Sequence, residues 1–243
     1  MNRTGHQTAA AMRAHWWYRG RAVAVENLAR RAHVPHDVGT VLDYGCGTGH
    51  MGPVLARFGP LYGVDSSADA LEAGHYESYE AVTRIPIDGN VSLLGGPHSL
   101  IACLDVLEHV DDDVGLLADL AALLQPNGHV VLSAPMWPDL LSDEEAGSGH
   151  VRRYSKESLR DLFVSARLQP VATTGYIVSL LPLARAHRRR IIAGRATFAE
   201  EMTTPPRLAN EALALWASAE GLLCRYFTLP TGLSEIAVLQ LTD

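Results

Sequence analysis

The feature that most constrains this chain is Val41-Leu42-Asp43-Tyr44-Gly45-Cys46-Gly47-Thr48-Gly49, three glycines at alternate positions directly after an apolar run. Glycines so placed let the backbone take positive φ and let a ligand approach bare peptide. Before them lies a β-like segment, Thr40 to Tyr44. After them Met51, Val54, Leu55 and Phe58 recur at the i, i+3, i+4, i+7 spacing of a helix. Strand, glycine turn and helix form the opening unit of a parallel sheet. Asp65 follows Gly45 by 20 residues and ends the next apolar run, Leu61 to Val64. A carboxylate there can accept hydrogen bonds from both hydroxyls of a nucleoside ribose.

The alternation continues to about residue 174. Ser67 can cap a helix through Ala70 and Leu71. Tyr79 to Thr83 reads as a third strand and Ser99 to Leu104 as a fourth. Val114, Leu117, Leu120, Ala121 and Leu124 form a helical stripe that Pro126-Asn127-Gly128 stops. His129 to Ala134 is a fifth strand, Ser155 caps a helix carrying Leu159, Leu162, Phe163 and Ala166, and Val171 to Thr174 starts a sixth. The acidic run Asp111-Asp112-Asp113 reads as a helix N-terminus that satisfies the dipole. Glu235 to Leu241 closes the chain as a strand that need not be parallel to the others. The expected fold is α/β: a doubly wound, mostly parallel seven-stranded sheet with an antiparallel last strand and a helical cover. Three parts are expected: an N-terminal helical extension or lid (residues 1–38), a ligand-binding sheet domain (39–175 and 233–243), and a helical insertion covering the acceptor (176–232).

Composition removes several functions. The net charge of −7 offers no field for nucleic-acid binding. The three cysteines, Cys46, Cys103 and Cys224, lack any CxxC or Cys/His spacing, so no disulfide framework and no metal are assigned. A reducing cytoplasm fits them. The start of the chain lacks the apolar core of a secretory signal, and the longest apolar stretch, Ile177 to Leu183, is too short to span a bilayer. Arg185, His187, Arg188, Arg189, Arg190 and Arg195 are either a solvated helix face or, with residues 177–195 as a whole, a weak contact for a membrane surface or lipid-like substrate. Lys156 is the sole lysine among 20 basic residues. That bias points to a GC-rich genome and, by association, to specialised metabolism.

Gly47-x-Gly49-x-x-Gly52 matches the dinucleotide fingerprint, which keeps an NAD(P)-dependent oxidoreductase open. The fuller pattern, with Asp43 two residues before Gly45, resembles the hh(D/E)xGxGxG motif of class I S-adenosylmethionine-dependent methyltransferases. Leu104-Asp105-Val106-Leu107-Glu108-His109-Val110 continues the resemblance, as does Leu124-Gln125-Pro126-Asn127-Gly128, similar to the family's L(R/K)PGG turn. His15-Trp16-Trp17-Tyr18-Arg19-Gly20-Arg21 looks like the HWWFRGR start of one subset, and Gly149-His150-Val151-Arg152-Arg153-Tyr154-Ser155 like its GHxRRYT segment. The family usually carries an acid near the adenine after its third strand. Val82 to Ile87 has none, which leaves backbone groups or Asp88.

The resemblance implies a Rossmann-like fold and S-adenosyl-L-methionine as methyl donor, with S-adenosyl-L-homocysteine as product. It implies cofactor contacts at Tyr18, Arg21, Asp43, Gly45, Cys46, Gly47, Asp65, Ser66, Asp105 and Val106. The acceptor is expected to be a small molecule methylated at oxygen, with nitrogen or carbon as alternatives, and the protein to act as monomer or homodimer. A cofactor-binding protein without methyl transfer is the other reading. Methyl transfer from a sulfonium needs alignment first, and a base only where the acceptor is protonated. His109 and His150 are the candidate bases, each with a purely structural alternative in its own loop. Trp17, His150, Arg152, Arg153 and Tyr154 are the candidate acceptor contacts. Arg152 and Arg153 either grip an anionic acceptor or pair with Asp143, Glu144 or Glu145, and Trp16, Trp17 and Tyr18 either close over the cofactor or pack the extension down.

Overall fold

The computed structural model describes residues 9–86, 91–201 and 203–242. Seven strands form one sheet in the order β3-β2-β1-β4-β5-β7-β6. They are β1 (Thr40–Tyr44), β2 (Leu61–Asp65), β3 (Ala81–Arg84), β4 (His98–Leu104), β5 (Leu124–Pro135), β6 (Leu168–Tyr176) and β7 (Ser234–Leu241). Strands β1 to β5 pair in parallel, and β7 runs antiparallel between β5 and β6. The chain order reverses between β1 and β4, so the crevice beyond their carboxyl ends is where an open α/β sheet binds ligands.

Both faces are buried. One carries Leu42, Ile101, Cys103, Val130 and Leu132 under helices α5 (Asp113–Ala122) and α7 (Lys156–Ser165). The other carries Val41, Leu100, Ala102 and Val131 under α2 (Trp16–Arg31), α3 (Gly52–Leu55) and α10 (Arg207–Leu223). Burial on both faces explains why β4 reads as a continuous apolar run without alternation. The expected caps are in place: Ser67 accepts from the Ala70 amide in α4 (Ala68–Glu72), and Ser155 from Ser158 within a reciprocal capping box; in the acidic run before α5 it is Asp112 that caps, accepting from the Gly115 amide.

Local boundaries differ from expectation for identifiable reasons. β5 begins at Leu124 because that residue pairs with His98 across a bulge, and Asn127 sits at φ +62° inside the strand. β3 begins at Ala81, since Tyr79 turns inward to bond Asp43. Val114 is 37% exposed, and Leu116 takes its place in the core at 8%. The helix after the glycine loop is a single turn, although Met51, Leu55 and Phe58 are buried as expected. Asp88 lies outside the described residues.

The N-terminal helices and α10 meet above the sheet. The N-terminal extension breaks at His15 between α1 (Ala9–Ala14) and α2. The Asn210 side chain of α10 bridges that break, accepting from the Trp16 amide at 2.9 Å and donating to the Ala14 carbonyl at 2.8 Å. α2 and α10 then cross closely. A Cβ on Gly20 would fall 2.4 Å from the Ala217 Cβ, and one on Gly221 would fall 2.8 Å from the Ala24 nitrogen. Between β6 and α10 lie α8 (Leu181–Ile192) and α9 (Phe198–Glu201), and Thr203-Thr204-Pro205-Pro206 separates them from α10. No described helix is long and apolar enough to cross a membrane.

Asn210→Ala leaves one donor and one acceptor at the α1–α2 break without their partner. A loss of about 1–3 kcal/mol in unfolding free energy is expected, measured by urea denaturation. Limited proteolysis should cut the variant first near residue 15.

Candidate functional site

The carboxyl ends of β1, β2, β4 and β5 gather the expected cofactor residues on one edge. Gly45, Gly47 and Gly49 all have positive φ, at +79°, +53° and +76°. A Cβ on Gly45 would strike the Val106 side chain at 2.3 Å, whereas one on Gly47 would meet nothing within 4 Å. The loop therefore packs on one side and leaves open space on the other. Asp65, at the end of β2, accepts from the Gly47 amide at 2.7 Å and the Ser67 amide at 2.8 Å. Asp43 is 3% exposed and accepts from the Tyr79 hydroxyl at 2.7 Å. Burial pushes its pKa up to about 6, with the Tyr79 bond opposing the rise.

This edge fits the adenosyl and methionine parts of the expected cofactor: a glycine cradle open on one side, a ribose-height carboxylate at Asp65, and a buried carboxylate at Asp43 suited to a cation. Ser66 follows Asp65 directly, and Cys46 is buried below the loop.

The cover is latched to the same edge. Arg21 of α2 is 3% exposed and forms an ion pair with Asp105, which follows β4 at φ +54° and also accepts from the Ser133 hydroxyl. A second guanidinium nitrogen of Arg21 lies 3.0 Å from His50 Nε2, and its Cζ lies 5.2 Å from the Tyr18 ring centre. His50 is held far below the usual histidine range, to about 3, by burial and then by the charges of Arg21 and Arg13. It is a neutral partner at any working pH. Thr48 of the glycine loop donates to the Met12 sulfur at 3.1 Å, which brings α1 over the cradle. Trp17 meets Tyr176 edge-on at 5.2 Å, and its carbonyl accepts from the Tyr176 hydroxyl.

Beyond Asp105 a single turn, Leu107–His109, meets the loop after β5. The Val151 amide donates to the Glu108 carbonyl at 2.7 Å. The His109 and His150 rings stand edge to face with centres 4.5 Å apart. His109 Nδ1 donates to the Gly149 carbonyl at 3.1 Å, and His150 Nδ1 to Glu145 at 2.9 Å. Burial, then the neighbouring His150, lowers the pKa of His109, so the ring is neutral near pH 7. Glu145, in the short helix α6 (Asp143–Gly147), is fully buried and also takes Arg153 and Arg188. Burial pushes its pKa up, but the His150 and arginine contacts prevail and hold it at about 2.

The structure thus brings together Tyr18, Arg21, Asp43, Gly45, Gly47, Asp65, Asp105, Val106, His109 and His150. Three candidate acceptor contacts are engaged elsewhere. Arg153 donates to Glu145 and to the Met136 carbonyl, Arg152 pairs with Asp113 at 2.6 Å, and the Tyr154 hydroxyl donates to Asp113 at 2.7 Å. The basic cluster is likewise not one solvated face. Arg188 points inward to Glu145, and Arg185 stacks over Trp137 at 4.2 Å. Sequence reasoning missed Ser133, His50, Met12 and Tyr79, which carry no motif. It named Glu145 only as one of three possible partners for the arginines.

The family described as "Methyltransferase domain" matches residues 15–173. A ubiquinone biosynthesis O-methyltransferase from Vibrio campbellii is 32% identical over 99 residues, which are 38% of this chain and 42% of that protein. The chain therefore spans about two fifths of that relative's length. Among solved structures, magnesium protoporphyrin IX methyltransferase from Synechocystis PCC 6803, with S-adenosylhomocysteine bound, is 16% identical with a TM-score of 0.52, covering 93% of this chain and 86% of that one. The [4+2]-cyclase SpnF is 16% identical with a TM-score of 0.54, covering 98% and 84%. Likeness at this identity speaks for the fold alone.

Glu145→Gln leaves two buried guanidinium groups without their anion. A cost of about 3–5 kcal/mol is expected, read from chemical denaturation. The pH dependence has a fixed sign. Because the native pKa of Glu145 is depressed, its stabilisation is complete above the ordinary value of 4.5 and is lost as pH falls toward about 2. The variant's stability curve should lack that component of the acid limb.

Proposed function

Because the chain belongs to the methyltransferase domain family, we propose that it transfers a methyl group from S-adenosylmethionine to a small-molecule acceptor at oxygen. The observation that carries the choice of atom is the His109–His150 pair, two facing imidazoles on the sheet edge that holds the cofactor cradle. An alcohol or phenol must lose its proton on attack, whereas a free amine nitrogen needs no such help. The similarity to an enzyme named an O-methyltransferase supports the same atom.

The cofactor supplies a methyl group on a sulfonium, already activated for displacement. The chain's part is placement. Asp65 would hold the ribose and Asp43 the methionine ammonium, and Gly47 leaves the approach bare. Arg21, fixed to Asp105, brings Tyr18 against His50 beside the glycine loop, where it would help exclude water from the reacting atoms. Held in line at near-attack distance, donor and acceptor gain on the order of 7–11 kcal/mol over free encounter. His109 and His150 act on the acceptor proton, and His150 borders the acceptor, whereas Trp17 packs the extension onto Tyr176. Arg152, Arg153 and Tyr154 serve by fixing the 149–154 loop through Asp113 and Glu145. The reading places the enzyme in the cytoplasm, acting on a small molecule and not on nucleic acid.

Calorimetric titration should show binding of S-adenosylhomocysteine but not of NAD or NADP, weakened at least tenfold in Asp65→Ala and abolished in Gly47→Val. With an oxygen acceptor in hand, His109→Gln and His150→Gln should each lower kcat by about 10²–10⁴-fold while leaving S-adenosylhomocysteine affinity unchanged. Unchanged turnover in both variants would remove the two histidines from the mechanism, and methylation confined to amine acceptors would remove oxygen.

A further inference from the structure

We infer that Glu108, His109 and His150 hold a divalent first-row transition-metal ion, and that this ion receives the acceptor's hydroxyl oxygen. The inference rests on the methyl-transfer reading for the role of the ion, but not for its existence.

The first observation is convergence. One ligand atom from each of these three side chains lies within 4.8 Å of the others. Two come from the turn after β4 and one from the loop after β5. The Val151 amide bonded to the Glu108 carbonyl fixes one segment against the other. Clustered Cys and His, the usual sequence mark of a metal site, are absent. Short spacing does not reveal ligands 41 residues apart in sequence that adjacent parallel strands deliver to one edge.

The second observation is independent of the first. Glu108 is 1% exposed, and its Oε2 has no hydrogen-bond partner. A buried carboxylate oxygen without a partner costs roughly 1–3 kcal/mol, and such a group calls for an explanation. The alternative of a structural ion pair is not realised. Arg153 and Arg188 both go to Glu145, and Arg21 goes to Asp105.

The third observation is the state of the two rings. His109 Nδ1 faces the Gly149 carbonyl and His150 Nδ1 faces the Glu145 carboxylate, both of which can only accept. Each ring therefore carries its proton on Nδ1 and keeps the Nε2 lone pair. A metal-ligating histidine characteristically does this, with its outer nitrogen donated to a carbonyl or carboxylate that fixes the tautomer. Glu145, itself locked by two arginines, orients His150 in that way.

Two imidazole nitrogens and one carboxylate oxygen favour Zn, Co, Mn or Fe over Mg or Ca, which prefer all-oxygen shells. Three protein ligands leave at least one position open. A hydroxyl oxygen in that position loses its proton to water more readily because the ion stabilises the alkoxide or phenolate. That oxygen then forms the O–C bond while the C–S bond breaks and its electron pair stays on sulfur, giving the ether and the thioether product. The imidazoles thus act on the acceptor proton through the ion.

The test uses the full chain stripped with a chelator, then titrated with Co(II) and followed by its visible d–d absorption. Zn(II) is added in competition against a chromogenic chelator. One Co(II) per chain, displaced by Zn(II), is expected. Glu108→Gln and His150→Ala should weaken it by more than the ~10–100-fold typical of losing an outer-shell partner, and His36→Ala should leave it unchanged. Absence of Co(II) bands in the wild type, or equal binding in both ligand variants, would overturn the site. Should Glu108→Gln fail to fold, as judged by S-adenosylhomocysteine titration, His150→Ala decides alone. Co(II) binding without S-adenosylhomocysteine binding in the wild type would establish the ion and overturn the methyl-transfer reading.

Discussion

The arrangement depends on one ion pair at the end of β4. Asp105 sits in left-handed backbone geometry, which turns its carboxylate back across the sheet edge, where Ser133 from β5 and Arg21 from α2 both meet it. A buried guanidinium without a counter-ion is strongly unfavourable, so α2 can settle on the sheet only with Arg21 beside that carboxylate. The pair therefore decides where the N-terminal extension lies, and with it Tyr18, Trp17 and the contact between Met12 and Thr48. It also fixes the start of the turn that carries Glu108 and His109. One residue thus ties the cover, the cradle and the acceptor side together.

The cover is cooperative in a way that follows from its construction. α2 is held from below by Arg21 and from above by α10, whose Ala217 and Gly221 face Gly20 and Ala24. Asn210 completes the break between α1 and α2. Tyr176 at the end of β6 donates to the Trp17 carbonyl, and Glu220 of α10 accepts from the Val178 and Ser179 amides that follow β6. Opening the site by moving α2 would break contacts at every one of these points. Opening by α1 alone, hinged at His15, disturbs far fewer.

Much of this was legible in the sequence because it is periodic or local. The strand–glycine–helix unit, Asp65 at the next strand end, the caps Ser67 and Ser155, and the acidic helix start at 111–113 all follow from spacing and from residue conformational preference. What was not legible is pairing. Glu145 takes His150, Arg153 and Arg188, whereas Asp113 takes Arg152 and Tyr154. In sequence Arg152 and Arg153 are equivalent, and the difference arises because successive residues of an extended segment face opposite ways. Basic residues at helical spacing likewise read as one face, and only the position of α6 turned Arg188 inward. Tyr79 and Ser133 had no signal, since a single hydroxyl acquires meaning only from the carboxylate opposite it.

The charges on this edge form a further constraint on what it binds. Asp43 and Glu108 are carboxyl groups lifted by burial to about 6 and about 8, and Arg21 lies in the field of both. Burial disfavours the ionised form of both, and a cation placed beside either carboxyl would offset that cost. The edge is therefore built to accept positive charge at two points. One lies under the glycine loop, where a sulfonium with its ammonium would sit, and the other lies beside the two imidazoles. Methyl transfer removes the sulfonium charge and leaves the thioether neutral. Unscreened carboxyl groups in such a position would favour the charged donor over the neutral thioether. A site lined by exposed, solvated carboxylates would lack that asymmetry, because water would screen the difference between the two states.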